Sequence, residues 1–325
     1  QELIEAGCNY VYISLHSDIE LTDTTIFVKE GFEVLIASKS DISTITCRLS
    51  GNVALTEDGS RAGMDAISVA SGACGLGVIP ETYLRFRDVN VDIIGPNSER
   101  AHEGQKGSNI IHGINNECRV ALQDGTSVSI DGVTGNGVNG NGEFFLIDDL
   151  TSLGHPMKLD IKNVGASGIE AGYMRVYDGG IAVNIDNAPK YGINVDELNM
   201  YTASITTTNT GLYGVTVANG IELGWGSSIT ATLQDNAAVP APIRLENGEL
   251  YATFDNITVN GTVLLGDNAT VTGEGKDQVK TMRYAAAIGD TSYVTLYEAI
   301  QAAQEGQTVE LRQDVTLSEP LTIDE

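Results

Sequence analysis

The chain has 325 residues, 42% of them apolar, with 37 Gly, 7 Pro and one Trp, which is enough apolar material for a large folded core and argues against disorder. Its 44 acidic and 18 basic side chains give a formal charge of −26, and with no basic patch dense enough to reverse that field, nucleic acid and anionic membranes are excluded as main partners. No run approaches the roughly 18 consecutive apolar residues of a membrane helix, and neither a basic leader nor an apolar signal core opens the sequence, so it reads as a soluble fragment without membrane insertion.

From the N-terminus, ELIEA predicts a short capping helix within residues 1–12, ahead of a strand YVYISL. Such a helix would cover the open edge of the first strands. The four cysteines, Cys8, Cys47, Cys74 and Cys118, show neither CxxC nor Cys-His spacing, so no zinc site is expected. Buried thiols are the favoured reading, because Cys47 in ITCRL and Cys118 in ECRVAL lie in strand-like runs and free Cys packs as a small apolar group. One or two disulfides stay open for an exported protein.

In YLRFRDVNVDI, Arg85 and Arg87 alternate with Leu84, Phe86 and Val89, next to Asp88 and Asp92. A polysaccharide lyase would use such carboxylates to hold calcium and such a base against an acidic sugar; a solvated strand face is the simpler reading. The loop from Gly95 to Gly113 is the densest polar interruption of the first half, and its His102, Glu103 and His112 lack metal-ligand spacing. TGNGVNGNGE, from Thr134, lacks the nonapeptide repeat of calcium-binding β-rolls. No metal site and no cofactor are expected, with calcium left open.

An internal repeat organises the middle of the chain. LDIKNVGASGI begins at Leu159, VNIDNAPKYGI at Val183, ITTTNTGLYGV at Ile205 and a looser ITATLQDNAAVPAPI at Ile229, so the starts are 24, 22 and 24 residues apart. An earlier copy, VSIDGVTGNGV, starts at Val128. Each of the three best copies alternates apolar and polar residues, reaches Asn163, Asn187 or Asn209, and resumes with Gly168-Ile169, Gly192-Ile193 or Gly214-Val215. Strand-type alternation at this period, with almost no helical periodicity, predicts an all-β fold: a parallel β-helix, or solenoid, of about 22–24 residues per rung, in which stacking supplies the hydrogen bonds and core that one rung lacks. The Asn column then reads as a structural ladder at one corner.

A second strand recurs after each glycine turn and carries aromatics: Tyr177, Tyr201 and Trp225 are 24 residues apart and Tyr251 follows 26 later. If Val176, Met200 and Leu223 face inward, these rings and the neighbouring Arg175 face outward, although Tyr177 sits two places earlier in its repeat than Tyr201 and Trp225. Outward aromatics on a rigid sheet suit sugar rings, so Arg175, Tyr177, Tyr201, Trp225 and Tyr251 are the candidate ligand-binding residues; stacking that only protects the sheet is the plainer alternative. At the end of this column stand Asp148 and Asp149, with His155 in the following loop and Asp178 one repeat on. A glycosidase needs two carboxylates facing one bond, and since adjacent strand residues face opposite ways, Asp149 with Asp178 is a better pair than Asp148 with Asp149. These three are the candidate catalytic residues if the protein is an enzyme. The sequons at Asn256, Asn260 and Asn268 read as Thr-rich strands.

Near Lys276 to Asp290 the strand pattern lapses, which predicts a module of residues 1–280 and a second unit, 281–325, holding a linker, a cap helix and first strands. At an offset of 296 the two ends align without a gap: Glu2, Ile4, Ala6, Leu15, Asp18 and Leu21 match Glu298, Ile300, Ala302, Leu311, Asp314 and Leu317. In each copy a short helix, ELIEA or YEAIQAAQ, precedes a strand, YVYISL or TVELRQ, so the sequence reads as a piece of a longer modular chain.

The second copy, in IGDTSYVTLYEAIQAA followed by VELRQDVTL, resembles a segment of large surface proteins of bacteria related to clostridia, where it opens a right-handed, pectate-lyase-like β-helix. The resemblance covers about 30 residues. It implies the right hand of the coil and a secreted or cell-surface location, but no single activity, because similar domains serve adhesins, surface stalks and polysaccharide-degrading enzymes. The leading expectation is an adhesin-like, glycan-binding module whose partners are a glycan or host surface ligand and neighbouring modules of the same chain. A glycoside hydrolase or polysaccharide lyase and a purely structural spacer are the alternatives.

Overall fold

The computed structural model describes residues 9–39, 41–50, 65–74, 81–101, 110–148, 156–235, 237, 239 and 241–317. Its strands pair in parallel and fall into three stacks, which the chain visits in turn before returning to the first. The first stack begins Tyr10–Leu15, Glu33–Ser38, Tyr83–Arg87, Arg119–Gln123, Glu143–Ile147, and continues through residues 173–177, 197–201, 220–223 and 249–252. The second runs from Ile19–Thr22 and Ser43–Arg48 through Val89–Ile94, Ser127–Asp131 and Lys158–Lys162 to Ser228–Leu233 and Thr258–Asn260. The third starts with Ile26–Val28, Ile67–Val69 and Ile114–Asn116 and ends at Thr281–Arg283. This is a parallel all-β architecture compatible with a solenoid.

The sequence repeats coincide with the register. Val128, Leu159, Val183, Ile205 and Ile229 sit directly above one another, and all are buried. Alternation places such residues on the inward face, where each level covers the next; burying one aliphatic side chain contributes roughly 1.5–3 kcal/mol. The glycines before the third-stack strands are a requirement of the same stacking. A Cβ on Gly137, Gly168 or Gly192 would lie 2.6, 2.5 and 2.4 Å from the carbonyl oxygen of the corresponding glycine one level on. Those carbonyls accept ladder hydrogen bonds, for instance from the Ile169 and Ile193 amides, so no side chain fits there.

The expected Asn corner is present. Asn163, Asn187 and Asn209 have φ of 54°, 59° and 54°, a left-handed conformation that Asn tolerates better than most residues. The Asn187 amide donates to Asn163 Oδ1 at 3.0 Å, and Asn163 donates in turn to Asp131. Asn209 departs from the ladder by donating to Asp186.

Parallel pairing stops at Arg283. Beyond it, Ala286–Ile288 pairs antiparallel with both Thr291–Tyr293 and Glu310–Leu311, and the helix Leu296–Ala302 starts from a capping box of Thr295 and Glu298. The predicted second helix is thus observed. The first, expected within residues 1–12, is corrected from Tyr10 onward, where alternating apolar residues add to the first strand stack; residues 1–8 lie outside the described set. Among the described residues no helix is long and apolar enough to cross a membrane.

One buried-thiol expectation is corrected as well. Cys74 and Cys118 form a disulfide with Cα atoms 5.7 Å apart, whereas Cys47 is a free buried thiol whose pKa is pushed up to about 12, first by burial and then by the nearby Asp92. The sequence offered no geometry for the bridge, because its partners are 44 residues apart and meet only through the stacking.

Candidate functional site

The outward face of the first stack carries Arg175, Tyr177, Tyr201 and Tyr251 of the candidate ligand-binding residues. Val176, Met200 and Leu223 point into the core, so alternation turns Arg175, Tyr177, Asn199 and Tyr201 outward. Tyr177 and Tyr201 are directly paired in register, and their rings stack 5° from parallel with centroids 6.3 Å apart. The two-place offset read from the repeat is absorbed after the strand, by a register shift between Tyr177 and Ile181. Gly179 and Gly180 at that bulge have φ of 67° and 72°.

The single aromatic column expected from the spacing resolves into two. Trp225 stands one place beyond that column, because Gly224 faces Tyr201, and a Cβ on Gly224 would lie 2.0 Å from Tyr201 Cδ2. Trp225 is 54% exposed and packs edge to face on Phe254, with centroids 5.6 Å apart. Tyr177, Tyr201, Trp225 and Phe254 thus form an aromatic strip over successive levels. Tyr251 belongs to the adjacent column, in the register line Arg175, Asn199, Glu222, Tyr251. Phe254 lies within the strand-like run ELYATFDN but outside the 24-residue spacing of the other rings, and the strand itself ends two residues earlier, at Ala252.

Arg175 closes one end of the strip. Its guanidinium lies 5.0, 5.3 and 5.7 Å from the ring centroids of Tyr177, Tyr173 and Phe145, close enough for cation–π attraction. Nη2 donates to the Tyr173 hydroxyl at 2.7 Å, and the Asn199 amide donates to the same oxygen. Among the described residues no carboxylate pairs with Arg175. Its neighbours on this face differ: Arg119 pairs with Glu81 and Glu143, Arg85 with Glu33, and Arg87 with Asp124 at 3.1 Å. The rings of Tyr10, Tyr83 and Phe145 are occupied by the guanidinium groups of Arg85 and Arg119. Burial pushes the Tyr83 hydroxyl up to about 12. Arg85 and Arg87 are therefore part of an ion-paired strand face, and Arg119 and Phe145 were missed in the sequence because their contacts run between levels, whereas Tyr83 and Tyr173 also meet Arg85 and Arg175 two residues along their own strands.

Of the acidic candidates, Asp148 and Asp178 are among the described residues. Asp148 is buried, its amide donates to the Tyr177 carbonyl, and its side chain lies against Gly179. Asp178 occupies the corner with φ of 66°. Asp149, His155, His102 and Glu103 lie outside the described residues, as does Cys8. A polar groove of about 320 Å³ runs along the corner between the third and first stacks, lined among others by Glu117, Asn139, Glu170, Asn194, Asp196 and Glu246. Among the described residues no three His, Cys, Asp or Glu side chains are grouped to hold a metal ion.

His112 occupies a separate, half-buried niche over Gly135. Its Nδ1 accepts a 2.9 Å hydrogen bond from the Asn136 amide, while its own amide donates to Asp65 Oδ1 at 2.9 Å. Burial lowers the imidazole pKa and raises that of the Asp65 carboxyl.

No family model, no curated protein and no solved structure matches the chain.

Proposed function

We propose that this chain is a right-handed, pectate-lyase-like parallel β-helix, residues 1–280 forming one module and 281–325 the start of another, and that the module binds glycan as an adhesin-like part of a bacterial surface protein. The observation that carries the binding reading is the strip of rings on a rigid strand face, above all Trp225 at 54% and Tyr201 at 36% exposure, with Arg175 alongside and, among the described residues, in no salt bridge. Aromatic faces take the apolar side of a pyranose while a guanidinium and an amide donate to its oxygens. The Cys74–Cys118 bridge supports a place outside the cell, since such bonds persist in oxidising compartments.

The test is a glycan array on the labelled protein, with and without calcium, followed by mass spectrometry of each glycan retained. Retained, unchanged glycans are expected. Trp225→Ala should weaken retention about fivefold, on the order of 1 kcal/mol, without lowering thermal stability. Retention unaffected by Trp225→Ala, Tyr201→Ala and Arg175→Gln would overturn the reading.

A glycoside hydrolase or polysaccharide lyase is the second reading, and the acidic groove favours it over the Asp148 region, because carboxylates from four separate levels line it. Cleaved glycans, with loss of cleavage in Glu170→Gln or Asp196→Asn, would put this reading first.

A further inference from the structure

The corner that leads into the third stack carries a ladder of side-chain acceptors. Asp65, His112, Asn136 and Ser167 each stand two residues ahead of Ile67, Ile114, Val138 and Ile169, which lie directly above one another. At each step the side chain of one level accepts from the backbone amide of the next. Asp65 Oδ1 takes the His112 amide, His112 Nδ1 the Asn136 amide and Asn136 Oδ1 the Ser167 amide, each at 2.9 Å. The ladder ends in the wall of the acidic groove. Asn136, itself buried, donates through Nδ2 to Asn139 Oδ1 at 2.8 Å, and Ser167 Oγ donates to Glu170 Oε1 at 2.7 Å. Asn139 and Glu170 both line the groove.

His112 is the step of this ladder that a proton removes. A carboxyl or amide oxygen accepts whether or not the group is ionised, whereas an imidazole nitrogen that takes up a proton turns from acceptor into donor. The Asn136 amide then faces a second donor across the 2.9 Å contact. The ring lies so close over Gly135 that a Cβ there would be 2.7 Å from Nδ1, so that side offers it no space. Among the described residues the charged groups that face the ring are Asp65, one level back, and Glu170, at the far end of the ladder. Both favour the imidazolium, and Glu170 is at the same time the acceptor of the Ser167 hydroxyl. We propose that His112 is a proton sensor for the acidic groove: protonation of its ring releases the Asn136 corner, and with it Asn139 and Glu170, the two groove-lining side chains that the corner holds in place. Burial keeps the native imidazole below its ordinary 6.5, so the groove wall is set at neutral pH and loosens in acid. This goes beyond the glycan-binding reading and does not depend on it, since it concerns the groove wall alone.

The experiment is an NMR titration of the isotopically labelled full chain from about pH 7.5 to about 5, following the His112 ring, the Asn136 backbone amide and the Asn139 side-chain amide. All three are expected to shift with one midpoint below 6.5, while the Asn199 side-chain amide, on the first stack, stays fixed. His112→Asn, which keeps an acceptor for the Asn136 amide, should abolish the shifts of Asn136 and Asn139. In Asp65→Asn, which keeps an oxygen for the His112 amide, the shifts should persist at a lower midpoint, because one of the two anions favouring the imidazolium is gone. Asn139 signals that stay still while His112 titrates would overturn the proposal. So would a ring that stays neutral throughout, or a midpoint shared with Asn199. The comparison of His112 with Asn139 needs no variant, so it decides the matter even if neither substituted chain folds.

Discussion

The outward face of the first strand stack is built in two ways along its length. From Tyr10 to Phe145 the rings are covered by Arg85 and Arg119, and these cations are neutralised by Glu33, Glu81 and Glu143. From Tyr177 to Phe254 the rings stack on one another or stand exposed, and the one adjacent guanidinium, that of Arg175, has no carboxylate partner among the described residues. The strands of this stack pair in parallel in both halves. The side chains brought together by register decide whether a face is sealed by its own ion pairs or left open to a ligand.

The largest expected effects fall on the sealed half. Replacing both Cys74 and Cys118 with Ser releases a cross-link spanning 44 residues, which should lower unfolding stability by roughly 3–4 kcal/mol in a urea titration. Glycan retention on the open half should be unchanged. Arg119→Met removes the cation between Glu81 and Glu143 while keeping much of the stem's packing. Because it leaves two acids facing each other, the cost should be about 3 kcal/mol, again without loss of retention. If either change abolished retention at a temperature where the protein stays folded, the two halves would be one site rather than two.

Smaller effects should separate packing from binding within the open half. Gly224→Ala pushes a methyl into the Tyr201 ring, and about 1–3 kcal/mol of destabilisation is expected, together with weaker retention than in the parent. A stable Gly224→Ala protein would show that the Tyr201 ring moves freely, and that the strip is not a preformed surface.

The smallest effect concerns pH. Burial depresses the native His112 pKa below its ordinary 6.5, so above pH 6.5 both native and unfolded chains carry neutral imidazole and nothing is lost. As pH falls below 6.5 the unfolded chain takes up the proton first, and stability declines until the native imidazole titrates as well. Asp65, raised by burial, works in the opposite direction, because its native carboxyl takes up a proton at a higher pH than the unfolded one. His112→Asn, which keeps an acceptor for the Asn136 amide, should flatten the decline in Tm that begins below pH 6.5. An unchanged pH profile would mean that the niche admits the imidazolium without cost.

The sequence by itself determined the strand class, the parallel stacking and the repeat. The apolar-polar alternation has a period of two, and the recurrence of Val128, Leu159, Val183, Ile205 and Ile229 fixes which residues lie above one another. It also determined the glycine and asparagine corners, because close backbone approach at Gly168 and Gly192 and left-handed φ at Asn163 and Asn187 admit few other residues. Tertiary structure alone decided the Cys74–Cys118 bridge, the ion-paired ladder from Glu33 to Glu143, and the split of Tyr251 from Tyr177 and Tyr201. Each of these depends on how many residues the intervening corners absorb. A corner lengthened by two residues, as after Tyr177, leaves the local alternation untouched yet changes which side chains meet across levels. Local pattern is written in neighbouring residues, whereas a contact between levels is the sum of every insertion along one circuit of the chain.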